Sequence, residues 1–200
     1  TVCELQGENA LEPEDSAAIN KHQIVCSRSF GHRVTRREEL HSALACFISR
    51  ACEKLRQQNQ FAREAVLFIR TDPFRQDLAQ ARQSIRLATP APVNNTRPWL
   101  QQLSCALDRI YQEGYVYKKA GVILMELCQP DSFQGDLLMA DHTPESHGMM
   151  EVLDTINQRF GRNTLRPASV GFTGRWHMNQ QYLSPCYTTR WPDIMTVHAR

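Results

Sequence analysis

The sequence has little of what a membrane protein, a disulfide-bonded protein or a metalloprotein requires. No apolar run among its 200 residues approaches the roughly 20 that a membrane-spanning helix needs, and the N-terminus has no signal-peptide pattern. Its seven cysteines are scattered and no two form a CxxC pair, so neither a disulfide framework nor a structural zinc site is indicated. We expect a cytoplasmic protein without a membrane segment.

Patterns typical of catalytic centres are missing as well. A phosphoryl-transferring polymerase centre needs carboxylates that converge on metal ions, and none cluster here, because Glu38 and Glu39 are explained by a helix N-terminus. The sequence has no Gly-rich phosphate loop and no G-x-S-x-G motif. Cys26 could pair with His22 or His32 as a nucleophile, but a buried strand cysteine is usually a packing residue. We therefore predict no catalytic residue, no metal site and no cofactor.

The formal net charge of +2 conceals four blocks of opposite sign. Residues 21–128 carry a net charge of +8 and residues 152–200 carry +4, whereas residues 1–20 and 129–151 carry −5 each. Two positive segments joined by an acidic connector favour binding to a polyanion. A mildly basic solvated surface is the alternative interpretation.

Two segments have the periodicity of amphipathic helices. In the first, Thr35 and Glu38 have the spacing of a capping box, and an apolar stripe follows at helical spacing: Leu40, Leu44, Phe47, Ile48, Ala51 and Leu55. The second helix begins near Thr96, has Pro98 in its first turn and ends before Gly114.

Four segments have the alternation or apolar content of strands: 23–30, ending at a turn at Gly31; 65–71, ending before Pro73; 84–89, ending before Pro90; and 117–127. The order β-α-β-β-α-β is that of the split βαβ fold, in which two helices cover one face of a four-stranded antiparallel sheet. We predict this α+β fold, with the other face of the sheet open.

Long cations and small hydroxyls are expected on this open face. Ser84, Arg86 and Ala88 alternate with apolar residues, and Arg28, Arg70 and Lys118 are predicted to lie at strand ends. Such side chains position a phosphate backbone without reading its sequence.

The predicted sheet is followed by an acidic stretch and then by a small tail. The acidic stretch 129–147 carries the apolar residues Phe133, Leu137 and Leu138, which mark either a recognition peptide or a segment that packs on the parent domain. About fifty residues make a small independent core, so we expect the tail to pack against the main body or a partner.

Several segments resemble one known family. They are Cys-Ser-Arg-Ser-Phe-Gly at 26–31, Tyr-Lys-Lys-Ala-Gly-Val at 117–122, Gly-Arg-Asn-Thr-Leu at 161–165 and Leu-Ser-Pro-Cys-Tyr-Thr-Thr-Arg at 183–190. They resemble the UmuC family, the catalytic subunits of bacterial Y-family translesion DNA polymerases (polymerase V). The resemblance covers essentially the whole chain, and the tail segments are its most specific part.

The resemblance implies a division of the chain into a linker following the polymerase thumb (1–22), a DNA-binding little finger (23–128), an acidic linker with a clamp-binding peptide (129–147) and a small C-terminal domain (148–200). It implies that Ser27, Arg28, Ser29 and Gly31 lie next to template phosphates. With the open-face side chains, the predicted DNA-binding residues are Ser27, Arg28, Ser29, Gly31, Arg33, Arg70, Ser84, Arg86, Lys118 and Lys119. The implied clamp-binding residues are Gln134, Leu137 and Leu138.

The same resemblance implies that this chain is a fragment of a longer polymerase. The polymerase is expected to work in SOS mutagenesis and DNA damage tolerance, in the bacterial cytoplasm at the nucleoid. Its implied partners are template-primer DNA bound without sequence preference, the sliding clamp, a cleaved UmuD-like dimer and the RecA filament. The parent polymerase is expected to use Mg²⁺. We expect the fragment to lack the catalytic palm and to be inactive alone.

Two other functions are compatible with the same order of strands and helices. An RRM-like RNA-binding module would need stacking aromatic side chains on the open face, where the central strands offer only Phe68, which could equally be core. A regulatory interaction module with an incidental basic face is the other alternative.

Overall fold

The computed structural model describes residues 22–75, 77–132, 144–171, 174, 176–178 and 184–196. Its strands are β1 (Ile24–Val34), β2 (Phe61–Thr71), β3 (Arg82–Val93) and β4 (Tyr117–Cys128). Its helices are α1 (Arg37–Gln57), α2 (Arg97–Ile110) and α3 (Pro144–Phe160). The order β-α-β-β-α-β, predicted for the first six elements, is confirmed.

The four strands form one sheet in the order β1-β4-β2-β3, and each neighbouring pair is antiparallel. Strands β1 and β2 are therefore parallel to each other and separated by β4, with α1 connecting them. Strands β3 and β4 are likewise parallel to each other; α2 connects them and β2 lies between them. This is the predicted split βαβ arrangement, and the predicted α+β class is correct.

Two predicted strand ends are wrong. Strand β1 continues through Gly31 to Val34, because its register against β4 shifts between Ser29 and Val34 and lets the chain pass through a bulge. Strand β3 likewise runs through Pro90 to Val93. A proline is tolerated there because β3 lies at the edge of the sheet, where some backbone N–H groups face no neighbouring strand.

The predicted capping box does not form. The N-cap residue of α1 is Arg36, no side chain caps it, and the Thr35 carbonyl instead accepts a hydrogen bond of 2.8 Å from the Tyr111 hydroxyl. Arg37 donates from Nε to Asp108 on α2 at 2.5 Å. The start of α1 is therefore fixed by tertiary contacts with α2, which a local sequence pattern does not contain.

The core lies between the sheet and the helices on one of its faces. The predicted apolar stripe of α1 is confirmed, since all six of its residues are buried. Among the described residues, Trp99 of α2 and Tyr117 of β4 are the two largest fully buried side chains.

The segment after α3 contributes to the same core. Val170 and Trp176 are buried with the side chains of α1 and the sheet. The Trp176 ring lies edge-on to Phe47, with ring centroids 5.3 Å apart, and also contacts Phe30. Ser42 on α1 donates a hydrogen bond of 2.5 Å to the Val170 carbonyl. The expectation that the tail packs against the main body is therefore correct.

Of the helices in the described ranges, none combines the length and the apolar character that crossing a membrane requires.

Replacing Trp176 with Ala should remove this packing. Because the indole is 3% exposed, we expect a loss of about 3–5 kcal/mol in the free energy of unfolding. Urea denaturation of the full chain measures the loss. Trp191→Ala is the matched control, since Trp191 is 87% exposed and its loss should change stability by less than about 0.5 kcal/mol. Equal free energies of unfolding for the two variants would show that the contact of Trp176 with the core does not stabilise the fold.

Candidate nucleic-acid interface

Side chains that alternate with the core residues of the four strands form the uncovered face of the sheet, which we call the open face. The strand register places them in rows across the sheet, in the order β1, β4, β2, β3. The first row is Val25, Ile123, Val66 and Arg86; the second is Ser27, Gly121, Phe68 and Ser84; the third is Ser29, Lys119, Arg70 and Arg82.

The third row, which we call the cationic row, sets three positive charges on adjacent strands. Lys119, Arg70 and Arg82 are register partners across β4, β2 and β3, and strands lie about 4.8 Å apart. Among the described residues, no carboxylate forms an ion pair with any of the three. Like charges directly opposite one another repel, so this row is suited to a bound polyanion.

The middle row is uncharged and closely packed around a glycine. A Cβ atom added to Gly121 would overlap the Cβ of Ser27 and lie 2.6 Å from the Phe68 ring. The close approach therefore requires glycine at this position. Phe68 belongs to the open face and is half-buried because its ring lies over Gly121.

Arg86 is partly neutralised. Its Nε lies 3.2 Å from a carboxylate oxygen of Glu64, which is largely buried, whereas the Arg86 side chain is largely exposed. The other three members of this row are apolar. The positive character of the open face is therefore strongest in the cationic row.

Arg28 lies elsewhere than predicted. It is in the middle of β1 and not at a strand end, and it alternates with Ser27 and Ser29 of the open face. Its side chain is therefore on the helix side, where its guanidinium helps to lower the pKa of His177, a shift caused mainly by burial.

Other predicted DNA-binding residues lie at the β1 bulge. The Lys118 Nζ donates a hydrogen bond of 3.0 Å to the Phe30 carbonyl, and the Gly31 N–H donates to the Trp176 carbonyl at 3.4 Å. Arg33 is exposed in the same stretch. These contacts tie Lys118 and Gly31 into the fold, whereas Ser27, Ser29, Arg70, Ser84, Arg86 and Lys119 lie on the open face.

Arg82 was not predicted, although it completes the cationic row. The predicted strand began at Ser84, two residues too late. The alternation of Arg82, Ser84 and Arg86 is the signal that could have revealed it.

Within the described ranges, no group of three or more His, Cys, Asp or Glu side chains could hold a metal ion. Burial raises the pKa of the Cys26 thiol, which disfavours the thiolate that a nucleophile requires. The predicted clamp-binding residues Gln134, Leu137 and Leu138 lie outside the described residues.

Comparison with known families gives two matches. Residues 21–137 match the impB/mucB/samB family C-terminal domain, and residues 147–197 match a domain of unknown function, DUF4113. Among curated proteins, the chain is 39% identical over 199 residues to protein UmuC of Salmonella typhimurium, covering 98% of this chain and 47% of that protein. It is 36% identical over 196 residues to protein ImpB of Salmonella typhimurium, covering 97% of this chain and 46% of that protein. The chain thus spans about half the length of these relatives.

Among solved structures, the insertion ternary complex of Dbh DNA polymerase matches with a TM-score of 0.41 and 8% identity, covering 64% of this chain and 34% of that chain.

Replacing Gly121 with Ala should destabilise the sheet, because the added methyl group meets Ser27 and Phe68. We expect a loss of about 1–3 kcal/mol in the free energy of unfolding, as for other overpacked sites. Chemical denaturation measures it. Gly148→Ala on α3 is the control, since nothing lies within 4 Å of the added atom, and it should be neutral or stabilising. A tolerated Gly121→Ala would contradict the close packing of the middle row.

Proposed function

The chain belongs to the impB/mucB/samB family, and from this premise we propose that it is the DNA-binding and partner-binding C-terminal part of a UmuC-like, error-prone translesion DNA polymerase. Its sheet would act as the little finger, which grips the template-primer backbone during SOS mutagenesis and DNA damage tolerance. A cytoplasmic location at the bacterial nucleoid follows from this role.

The observation that carries the proposal is the cationic row. Lys119, Arg70 and Arg82 extend over two interstrand spacings, or about 10 Å, which is long enough to reach two neighbouring phosphates of one DNA strand. The row continues on β1 with the Ser29 hydroxyl, which can also donate to a phosphate oxygen. Long cations and hydroxyls hold a backbone without reading base edges. This composition supports binding without sequence preference, which a polymerase that moves along DNA needs.

An RNA-binding role receives less support from the open face. Such a sheet stacks two or three bases on aromatic side chains. Among the described members of the three rows, Phe68 is the only aromatic residue, and its ring already lies over Gly121.

We assign no catalytic step to the described residues. The Mg²⁺ expected of the parent polymerase would require converging carboxylates, and the part of the chain that the structure describes contains no group of three or more His, Cys, Asp or Glu side chains that could hold a metal ion. For the whole protein we further propose polymerase activity and binding to a UmuD-like dimer and the RecA filament.

Reversing two charges of the cationic row tests DNA binding. Arg70→Glu with Arg82→Glu should weaken binding to primed DNA at least tenfold at low salt. In a plot of the logarithm of the affinity against the logarithm of the salt concentration, each lost phosphate contact should also reduce the steepness of the slope by about one. Fluorescence anisotropy with two unrelated DNA sequences measures both.

The control for this pair is Arg109→Glu, which reverses an exposed charge on α2, outside the open face. Its affinity should be close to that of the unmodified chain. If the double variant kept full affinity, or lost it for one sequence only, the open face would not be the DNA-binding surface.

Replacing Gln134, Leu137 and Leu138 with Ala tests the proposed clamp-binding peptide. The paired leucines supply the apolar anchors of such a peptide, so their loss should abolish binding to a bacterial sliding clamp. Surface plasmon resonance with immobilised clamp measures this, and binding to primed DNA should not change. Undiminished clamp binding by the triple variant would refute the assignment.

A further inference from the structure

A cleft of about 250 Å³ lies on the helix side of the sheet, between α1, α3 and the segment that follows α3. The main body contributes Arg28 and Arg50, and the tail contributes Arg162, Arg166 and Trp176. We call it the inter-segment cleft. It is separate from the cationic row, which lies on the opposite face of the sheet.

Positive charge exceeds negative charge along the walls of this cleft. Its charged lining residues are Arg28, Arg50, Arg56, Arg162, Arg166, Glu53 and Asp154. Both carboxylates are already paired within the wall. Arg50 contacts Glu53 at 2.6 Å, and Arg56 binds both oxygens of Asp154 at 2.6 and 2.8 Å. Among the described lining residues, Arg28 and Arg162 add two further positive charges that these two carboxylates do not pair with. Cations gathered in a partly enclosed space favour a bound anion.

A buried donor lies in the same wall. The indole of Trp176 is 3% exposed, and its Nε1–H has no hydrogen-bond partner among the described residues. A water-sized molecule does not reach this buried N–H, so the indole serves as a reporter of an occupied cleft and not as a ligand-binding group. His177, also in the wall, has a pKa lowered by burial and by Arg28, so its imidazole is neutral near pH 7 and adds no further charge.

We propose that the inter-segment cleft is an anion site that takes a phosphate group, carried either by a nucleic acid strand or by a free nucleotide. Guanidinium groups match phosphate oxygens with two parallel hydrogen bonds, and the two cations Arg28 and Arg162 exceed what a single carboxylate would neutralise. The volume is just below the roughly 300–1,000 Å³ of pockets for drug-sized ligands, so it suits a group no larger than one nucleotide.

Since both segments supply cations, an occupied site would hold the tail more firmly against α1. This inference does not depend on the proposed role of the open face.

The three tryptophan indoles provide the test, because each gives one N–H signal in a two-dimensional ¹H–¹⁵N NMR spectrum. Trp176→Phe identifies the Trp176 signal by its loss. Inorganic phosphate, thymidine monophosphate and a five-residue oligothymidylate are titrated separately into the full chain. We expect the Trp176 signal to shift saturably, whereas the signal of Trp191, which is 87% exposed, stays in place.

Arg162→Glu should weaken this binding at least fivefold, while Arg109→Glu, outside the cleft, should leave it unchanged. Arg162 is exposed, and thermal unfolding checks that its variant is folded; Arg162→Gln replaces it if it is not. Tighter binding of the oligothymidylate than of the monophosphate identifies a strand site, and equal binding identifies a nucleotide site. A Trp176 signal that responds to none of the three probes, or equally in Arg162→Glu, would overturn the proposal.

The double variant Arg70→Glu with Arg82→Glu separates this site from the open face. It should keep the Trp176 response in full, because both substitutions lie on the opposite side of the sheet. Loss of that response would contradict the existence of two independent sites.

Discussion

The packing of α1 is the constraint on which the rest of the structure depends. One side of this helix covers the sheet with an apolar stripe, and Phe47 also contacts the Trp176 ring of the tail. Because α1 and α2 cover the same face of the sheet, the other face is left for solvent or a ligand. Because the tail packs on α1, a cleft forms between them. The positions of both candidate anion surfaces are thus determined by the contacts that the buried side chains of α1 make.

The two surfaces differ in construction. The cationic row is flat and extended, and strand register sets its spacing, as suits a long polyanion held without sequence preference. The inter-segment cleft is partly enclosed, and its side chains come from segments more than 100 residues apart in the sequence. Arg28 belongs to the cleft although it follows Ser27 of the open face directly, because neighbouring strand residues point to opposite sides.

Much of the fold could be predicted because it depends on local periodicity. The apolar stripe of α1, the β-α-β-β-α-β order and the alternation at Ser84 and Arg86 required no knowledge of distant neighbours. The errors arose where tertiary contacts decide. Thr35 caps nothing because α1 begins one residue later than predicted, with Arg36 at the N-cap. Strand β3 passes through Pro90 because it is an edge strand. Arg82 was missed because the predicted strand began two residues too late, although the alternation continues to it, whereas the role of Trp176 depended on a packing partner that periodicity does not reveal.

The central claim is that the cationic row holds the DNA backbone. Backbone chemical-shift mapping of the full chain, with and without primed DNA at low salt, tests it most directly. The proposal predicts that the largest changes fall on Ser29, Lys119, Arg70 and Arg82, with the fully buried strand residues between them little affected. Changes confined to the helix side of the sheet, with none in this row, would contradict it.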